Sequence, residues 1–172
     1  MGAGAARTRS RAALIATAIG LAGCASLGGV RPYYGPVPGS VTLLFATSPD
    51  LTTRAAAEEA QHAGLAVQWI SPAEGYVETQ WFNVTTRVSR TSPDLGDLDH
   101  SVKFRFFADP TAGKTRLVAE AVTSYAVDPS RPQRELERMA PEGHPGREVL
   151  TQILDRLKRR FPSPTDTTTT TP

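Results

Sequence analysis

The only thiol in this chain of 172 residues belongs to Cys24, which closes an apolar segment. Three arginines lie within the first eleven residues, and no charged residue occurs in residues 12–23. A basic start, a short apolar stretch and small residues at its end are typical of a secretory signal peptide. With no second cysteine, the folded part of the chain can contain neither a disulfide nor a thiolate metal site.

The four residues Leu21-Ala22-Gly23-Cys24 closely resemble the lipobox of bacterial lipoproteins. The resemblance implies that a signal peptide is removed and that Cys24 becomes the acylated first residue of the mature protein. Each buried methylene of an acyl chain contributes about 0.8 kcal/mol, so several long chains hold a domain on a bilayer almost permanently. We therefore expect lipidation at Cys24.

Two other interpretations of this segment are weaker. A transmembrane anchor needs about 20 predominantly apolar residues, and this run gives way to Gly23, Ser26, Gly28 and Gly29 before that length. An ordinary secreted protein would carry its lone cysteine after Leu-Ala-Gly only by accident.

The charge balance changes when the predicted signal peptide is set aside. The whole chain has 19 basic and 17 acidic residues, and three of the basic ones precede Cys24. The remaining 16 basic and 17 acidic residues give a net charge of −1. The basic isoelectric point is thus largely a property of the leader, and it supports neither a nucleic-acid partner nor a polybasic membrane contact.

A second chemical motif ends in Gly113-Lys114-Thr115, which resembles the end of a Walker A loop with Ala108 where the first glycine usually stands. Phosphate binding by that motif needs a helix that begins at the Lys-Thr pair, because the helix N-terminus and the loop amides hold the phosphates. The residues that follow alternate as a strand instead, and Asp109-Pro110 with Gly113 are typical of a hairpin turn. We expect a turn and no nucleotide.

Metal-ligating side chains are spread along the chain. His62, His100 and His144 lie far apart, and no pair has metal-ligand spacing. The densest cluster of candidate ligands consists of Asp94, Asp97, Asp99 and His100. A calcium ion in this loop would suit these oxygens, but the twelve-residue EF-hand pattern is missing, so an exposed acidic loop is the favoured interpretation.

The sequence contains no recognisable catalytic arrangement. It has no Gly-x-Ser-x-Gly elbow, no cysteine nucleophile in the mature part and no His-Glu-x-x-His motif. Glu74 and Glu78 flank a turn, where paired carboxylates are typical of a solvated surface. We therefore expect a protein that is not an enzyme and that uses no cofactor.

The folded part lies between two segments without a periodic pattern. Residues 25–40 are rich in glycine and proline, and the chain ends in prolines and a run of threonines, both typical of solvated segments. We expect a signal peptide at 1–23, a lipidated cysteine with a flexible tether at 24–40, a single domain at 41–161 and a disordered tail at 162–172.

Periodicity predicts the element order β-α-β-β-β-β-α within the domain. A short apolar strand leads into a helix that Ser48 caps and Gly64 ends. Four strands follow, near residues 65–70, 76–84, 102–106 and 115–125. The last helix carries an apolar stripe from Val149 to Phe161. Strands joined by short turns imply an antiparallel sheet, so we expect an α+β fold with about five strands and two helices on one face.

One strand also supports a family resemblance. The stretch Gly75 to Trp81 contains a glycine, an apolar residue and Thr-x-Trp, and strands such as Val102–Phe106 follow it. This combination resembles the domains of BamC-type lipoproteins over roughly Val41 to Phe161. The resemblance implies a helix-grip domain without catalytic residues that belongs to an outer-membrane β-barrel assembly complex. BamC-type proteins carry two such domains and a long partner-binding segment, whereas this chain has one domain and a short linker.

Two functions of different classes follow from these observations. One is a non-enzymatic scaffold or accessory lipoprotein that contacts envelope proteins, and the other is a module that binds a lipid or small apolar ligand between the sheet and the last helix. A carrier needs a cavity of a few hundred Å³, whereas a scaffold needs an exposed apolar patch. The candidate partner or ligand surface consists of Tyr76, Trp81, Leu150 and Leu154.

The residue after the cysteine bears on localisation. Ala25 is not aspartate, and by resemblance to envelope sorting rules this favours the outer membrane, facing the periplasm, over the inner membrane. The expected partners are membrane lipid, through the acylated Cys24, and envelope proteins.

Overall fold

A computed structural model describes residues 31–33 and 35–162, so the predicted signal peptide, Cys24 and the threonine run lie outside the described residues. The helices are α1 (Pro49–His62) and α2 (Pro145–Arg160), with the short 3₁₀ helices η1 (Leu98–His100) and η2 (Gln133–Leu136). The strands are β1 (Val41–Phe45), β2 (Val67–Ser71), β3 (Tyr76–Thr79), β4 (Trp81–Asn83), β5 (Val88–Arg90), β6 (Ser101–Thr111), β7 (Lys114–Ser124) and β8 (Glu137–Met139).

The strands form one antiparallel sheet, which confirms the predicted α+β class. The main path is β1-β7-β6-β3-β2, while β4 joins β6 and β5, and β8 joins β7. The sheet has eight strands, so the expectation of about five is wrong. Strands β5 and β8 have three residues each, which is too short for side-chain alternation to reveal them. The third additional strand, β4, is the end of the strand predicted at 76–84, which the structure divides in two.

Helix α1 begins where the sequence predicts. The hydroxyl oxygen of Ser48 accepts a hydrogen bond from the backbone N–H of Leu51 at 3.4 Å, and Pro49 takes the first helical position. Gly64, with φ of 84°, follows the end of the helix. The buried face carries mainly alanines and threonines, which allow close approach to the sheet.

A larger side chain on this face should overpack the core. Ala60 is fully buried, so Ala60→Leu is expected to lower the free energy of unfolding by about 1–3 kcal/mol. Urea denaturation measures the change, with Gln61→Leu at the neighbouring exposed position as the control. Equal stabilities of the two variants would show that the helix does not approach the sheet closely.

The second helix and the β6–β7 hairpin also agree with the sequence. Leu150, Ile153, Leu154 and Leu157 of α2 are buried as the apolar stripe predicts. The hairpin closes at the pair Thr111–Lys114.

The strand expected over residues 76–84 is interrupted by a bulge. Glu78 pairs with Arg105 and Phe82 pairs with Val102, so this strand advances four residues while β6 advances three. Gln80 lies between β3 and β4, and its N–H bonds to a carbonyl before β2. An extra residue of this kind reverses the side-chain alternation beyond it.

The reversal changes which aromatic side chain enters the main core. Phe82 joins Val77 in that core, whereas Trp81 packs under the ammonium of Lys103, with Nζ 5.1 Å from the ring centre. An uninterrupted period of two would place Trp81 on the same face as Val77 and Thr79, but the period stops at Gln80.

The two faces of the sheet have different chemistry. Buried residues of α1 and α2 share one hydrophobic core with Phe104 and Phe106 of β6. The intervening positions of the strands turn away from the helices, and we call this side the ionic face; its charged residues are Glu78, Lys103, Arg105, Glu120 and Glu137. In the part of the chain that the structure describes, no helix has the length and hydrophobicity needed to cross a bilayer.

Candidate functional site

The structure buries the four residues that the sequence suggests as a partner or ligand surface. Tyr76, Trp81, Leu150 and Leu154 are only 1%, 2%, 1% and 4% exposed. The two leucines lie in the core beneath α2, and the ring of Tyr76 packs against Phe107 at a centroid distance of 5.2 Å. None of the four offers a side chain to a partner, so a contact surface must use other residues. The predicted lipidation site, Cys24, lies outside the described residues.

Arg105 is the centre of a buried charge network on the ionic face. Its side chain is 4% exposed, and its Nε donates to Oε2 of Glu78 at 2.9 Å. Its two terminal nitrogens form a bidentate pair with Glu137, at 2.6 and 2.8 Å. Such bidentate charge-assisted bonds fix both partners in one geometry.

Two further cations complete the network. Lys103 Nζ lies 2.7 Å from Glu78 Oε1. Arg134, from η2, contacts both carboxylate oxygens of the fully buried Glu120, at 2.9 and 3.1 Å. Three carboxylates thus meet three cations, and the charges balance.

The network sets the protonation of Glu78. Burial acts to raise its pKa, but the charges of Arg105 and Lys103 and the hydrogen bonds from Lys103 and Tyr76 outweigh that effect and hold the pKa below its ordinary value. A general base works best when its pKa lies near the ambient pH. Glu78 is therefore a poor base at neutral pH, and its arrangement is that of a structural ion pair.

The lowered pKa predicts loss of stability in acid. A carboxyl group whose folded-state pKa is depressed stabilises the protein above its ordinary pKa of 4.5 and loses that contribution as the pH falls through the folded-state pKa. We expect the free energy of unfolding to fall below about pH 4.5, measured by urea denaturation at a series of pH values. A Glu78→Gln variant should show a shallower decline, and an identical pH profile for both proteins would contradict the assignment.

A segment before β1 covers the ionic face. We call residues 31–33 and 35–40 the strap. The backbone N–H of Val37 donates to Glu120 Oε1 at 2.6 Å, and Arg134 donates to the carbonyl of Gly35 at 2.8 Å. Val37 is 8% exposed and belongs to the core. Buried charges of the domain therefore hold the strap by its backbone.

The start of the strap is fixed by Arg31. Its N–H donates to Glu74 Oε2 at 2.7 Å, and its guanidinium lies 2.6 Å from Asp109 Oδ1 and 5.3 Å from the ring centre of Phe107. The hydrogen bond from Arg31 is the main cause of the lowered pKa of Asp109. The strap, which the sequence assigns to a flexible tether at 24–40, thus makes specific contacts with the domain. Gly- and Pro-rich composition does not reveal the contacts of Arg31 with β6 and of Val37 with β7.

The strap and the sheet enclose an open groove of about 710 Å³. Its floor includes Phe107 and Val118, and Arg31, Asp109 and Arg116 supply charge. This volume lies within the range of small-molecule sites. The groove opens on the ionic face, whereas the sequence suggested a ligand between the sheet and the last helix.

The acidic loop and the histidines have local structural roles. Asp97 accepts hydrogen bonds from Asn83 at 2.9 Å and from His100, and the bond from His100 is the first cause of the lowered pKa of Asp97. His144 accepts the N–H of Gly146 at 2.9 Å and so caps α2. Among the described residues, no group of three or more His, Cys, Asp or Glu is arranged to hold a metal ion.

The Walker-like segment forms the hairpin turn that the sequence predicts. Ala112 and Gly113, with φ of 43° and 75°, make the turn, and Lys114 and Thr115 begin β7. No helix begins at the Lys-Thr pair, so the backbone arrangement that cradles phosphate in a Walker A loop is not formed there.

No protein-family model matches the chain, and no curated protein matches it. The likeness to BamC-type domains therefore stays a prediction from the sequence. The sequence does not reveal the charge network, because Glu78 and its strand neighbours have the alternating polarity of a strand with one solvated face. The one available signal was the density of opposite charges, Glu78, Lys103, Arg105 and Glu120, at alternate positions of successive strands.

Proposed function

We propose that the protein is a lipoprotein of the bacterial envelope that acts as a non-enzymatic scaffold or accessory interaction module. In this proposal the acyl chains on Cys24 hold the domain on the outer membrane, facing the periplasm. The resemblance to BamC-type domains suggests a role in outer-membrane protein assembly. The same resemblance suggests that the domain has a helix-grip fold.

One observation carries this proposal. The chain has a single cysteine, and that residue follows Leu21-Ala22-Gly23 at the end of an uncharged apolar segment with a basic start. Lipoprotein processing requires a cysteine at this position, and the only thiol of the chain lies there. The balanced ionic face supports the non-enzymatic part of the proposal, because its charged groups pair with one another.

Recovery of partners from native membranes tests the scaffold role. The full chain with a C-terminal tag is crosslinked mildly in cells, extracted and purified, with Cys24→Ser as the matched control. We expect defined envelope proteins to be recovered with the acylated chain and to be depleted in the control. Recovery of lipid without any protein partner would overturn the scaffold proposal.

The groove supports a second candidate, the binding of a lipid or another small apolar ligand. It has the volume for such a ligand and joins an apolar floor to the charged group of Arg31, Asp109 and Arg116. Native mass spectrometry of the purified protein tests this candidate. Val118→Trp should fill the groove and abolish a bound mass, while Val127→Trp, at an exposed position outside the groove lining, should not. A bound mass that survives Val118→Trp would exclude the groove as the site.

A further inference from the structure

The strap leaves the domain at a defined end of the sheet. Arg31 contacts Asp109, which lies two residue pairs from the β6–β7 turn. Helix α2 ends on the same side, since the ring of Phe161 packs against Phe45, the β1 residue that pairs with Thr115. We call this side, around residues 111–114, the hairpin end.

The length of chain between the strap and Cys24 limits how the anchored domain can be oriented relative to the membrane. Seven residue steps separate Cys24 from Arg31, and a fully extended chain of that length spans at most about 25 Å. The opposite end of the sheet, at Ser101, lies eight strand residues from Asp109, or about 27 Å. The hairpin end is therefore the end of the docked domain that an anchored Cys24 reaches most easily.

The hairpin end also carries cations that reach solvent. Lys114 is exposed, and the side chain of Arg116 is 55% exposed beside Asp109. The last turn of α2 adds the exposed residue Arg159, together with Lys158 and Arg160, which pair with Asp155 and Glu58. Basic residues held close to an anionic bilayer are attracted to its headgroups, and the attraction is lost within a Debye length.

From the exit of the strap and this charge, we infer that the hairpin end lies against the membrane and that Lys114 and Arg116 contact anionic phospholipid headgroups. The inference rests on the proposed lipid anchor at Cys24. The docked strap is the device that orients the domain, because it holds Arg31 at the hairpin end. The opposite end, with the start of α2 and β8, then points toward the periplasm and is free for partner proteins.

A quenching experiment on the acylated full chain tests the orientation. The thiol of Cys24 is blocked by acylation, so a fluorophore attaches only to an introduced cysteine. Ala112→Cys places it at the hairpin end and Arg138→Cys places it on β8, next to Thr123 near the opposite end. The labelled proteins are reconstituted into vesicles of phosphatidylglycerol and phosphatidylcholine that contain a headgroup nitroxide quencher.

We expect the label at position 112 to be quenched at least threefold more than the label at position 138. The double variant Lys114→Glu/Arg116→Glu should reduce the membrane-contacting population of the 112-labelled protein at least about tenfold, since each basic residue near an anionic surface contributes roughly fivefold. The matched control Arg138→Glu, at an exposed arginine of β8, should leave quenching unchanged.

Equal or stronger quenching at position 138 would overturn the orientation, and an unchanged signal in the double variant would overturn the headgroup contact. Intact-mass analysis and flotation of the same samples separate this result from the proposed function. An acylated, floating protein with the wrong orientation refutes only the present inference, whereas a chain without acyl groups refutes the lipid anchor and the inference together.

Discussion

Replacement of Arg105 by methionine should lower the free energy of unfolding by about 3–5 kcal/mol, the usual effect of removing one partner from a buried ion pair. The guanidinium is 4% exposed and contacts three carboxylates, at 2.9 Å from Glu78, 2.6 Å from Glu137 and 3.6 Å from Glu120. Methionine fills much of the same volume but leaves an unbalanced negative charge in the interior. Urea denaturation at neutral pH, followed by circular dichroism, measures the loss.

Arg116→Met is the matched control for this substitution. Arg116 lies on the neighbouring strand β7, its side chain is 55% exposed, and it pairs with Asp109 at 3.3 Å. Exposed pairs of this kind contribute about 0–1 kcal/mol. A loss below about 1 kcal/mol in Arg105→Met, comparable with that of the control, would show that water reaches the ionic face and that the strap does not cover it.

Replacement of Gly75 by alanine should destabilise the protein by about 2–5 kcal/mol through two effects. Gly75 has φ of 66°, a conformation that costs an alanine about 1–2 kcal/mol. A Cβ atom at this position would also lie 2.0 Å from the carbonyl oxygen of Ala108. Relief of that overlap must move β6 away from the β2–β3 turn, an overpacking cost of about 1–3 kcal/mol.

Gly113→Ala separates the two effects. Gly113 has φ of 75° at the tip of the hairpin, and a Cβ atom there would meet nothing within 4 Å. The control therefore reports the backbone strain alone, and thermal denaturation of the two variants gives the steric contribution by difference. Equal losses would mean that β6 does not approach Gly75 as closely as the structure shows.

The elements with strong local signals were predictable from the sequence. Ser48, Pro49 and Gly64 mark the ends of α1, and the stripe from Leu150 to Leu157 marks the buried side of α2. The β6–β7 hairpin was predictable for the same reason, since Gly113 permits the turn and the flanking residues alternate. In each case the information lies within a few residues of the element it specifies.

The ionic face was not predictable because its energetics depend on distant pairs. Glu78 meets Arg105 only after β3 and β6 pair, and Glu120 is neutralised by Arg134 from η2. Alternation of charged and apolar residues predicts one dry and one solvated face. Here a second layer, the strap and η2, covers the face that would otherwise be solvated.

The burial of the four residues suggested as a contact surface was not predictable for a related reason. Aromatic residues and leucines were natural choices for a partner surface, but a small domain uses its largest apolar side chains in the core. The exposed large apolar residues include Trp69 and Ile70 on β2, at 38% and 42%. No local pattern distinguishes these two from the buried Trp81, because the distinction depends on strand position: β2 lies at an edge of the sheet, whereas β4 pairs with both β5 and β6.

Lipidation at Cys24 can be measured by intact-mass spectrometry and membrane flotation of the wild-type chain, with Cys24→Ser as the control. We expect the wild-type protein to begin at an acylated Cys24 and to float with membranes, and Cys24→Ser to carry no acyl mass. A wild-type protein that keeps its leader or carries no acyl mass would refute the lipid anchor.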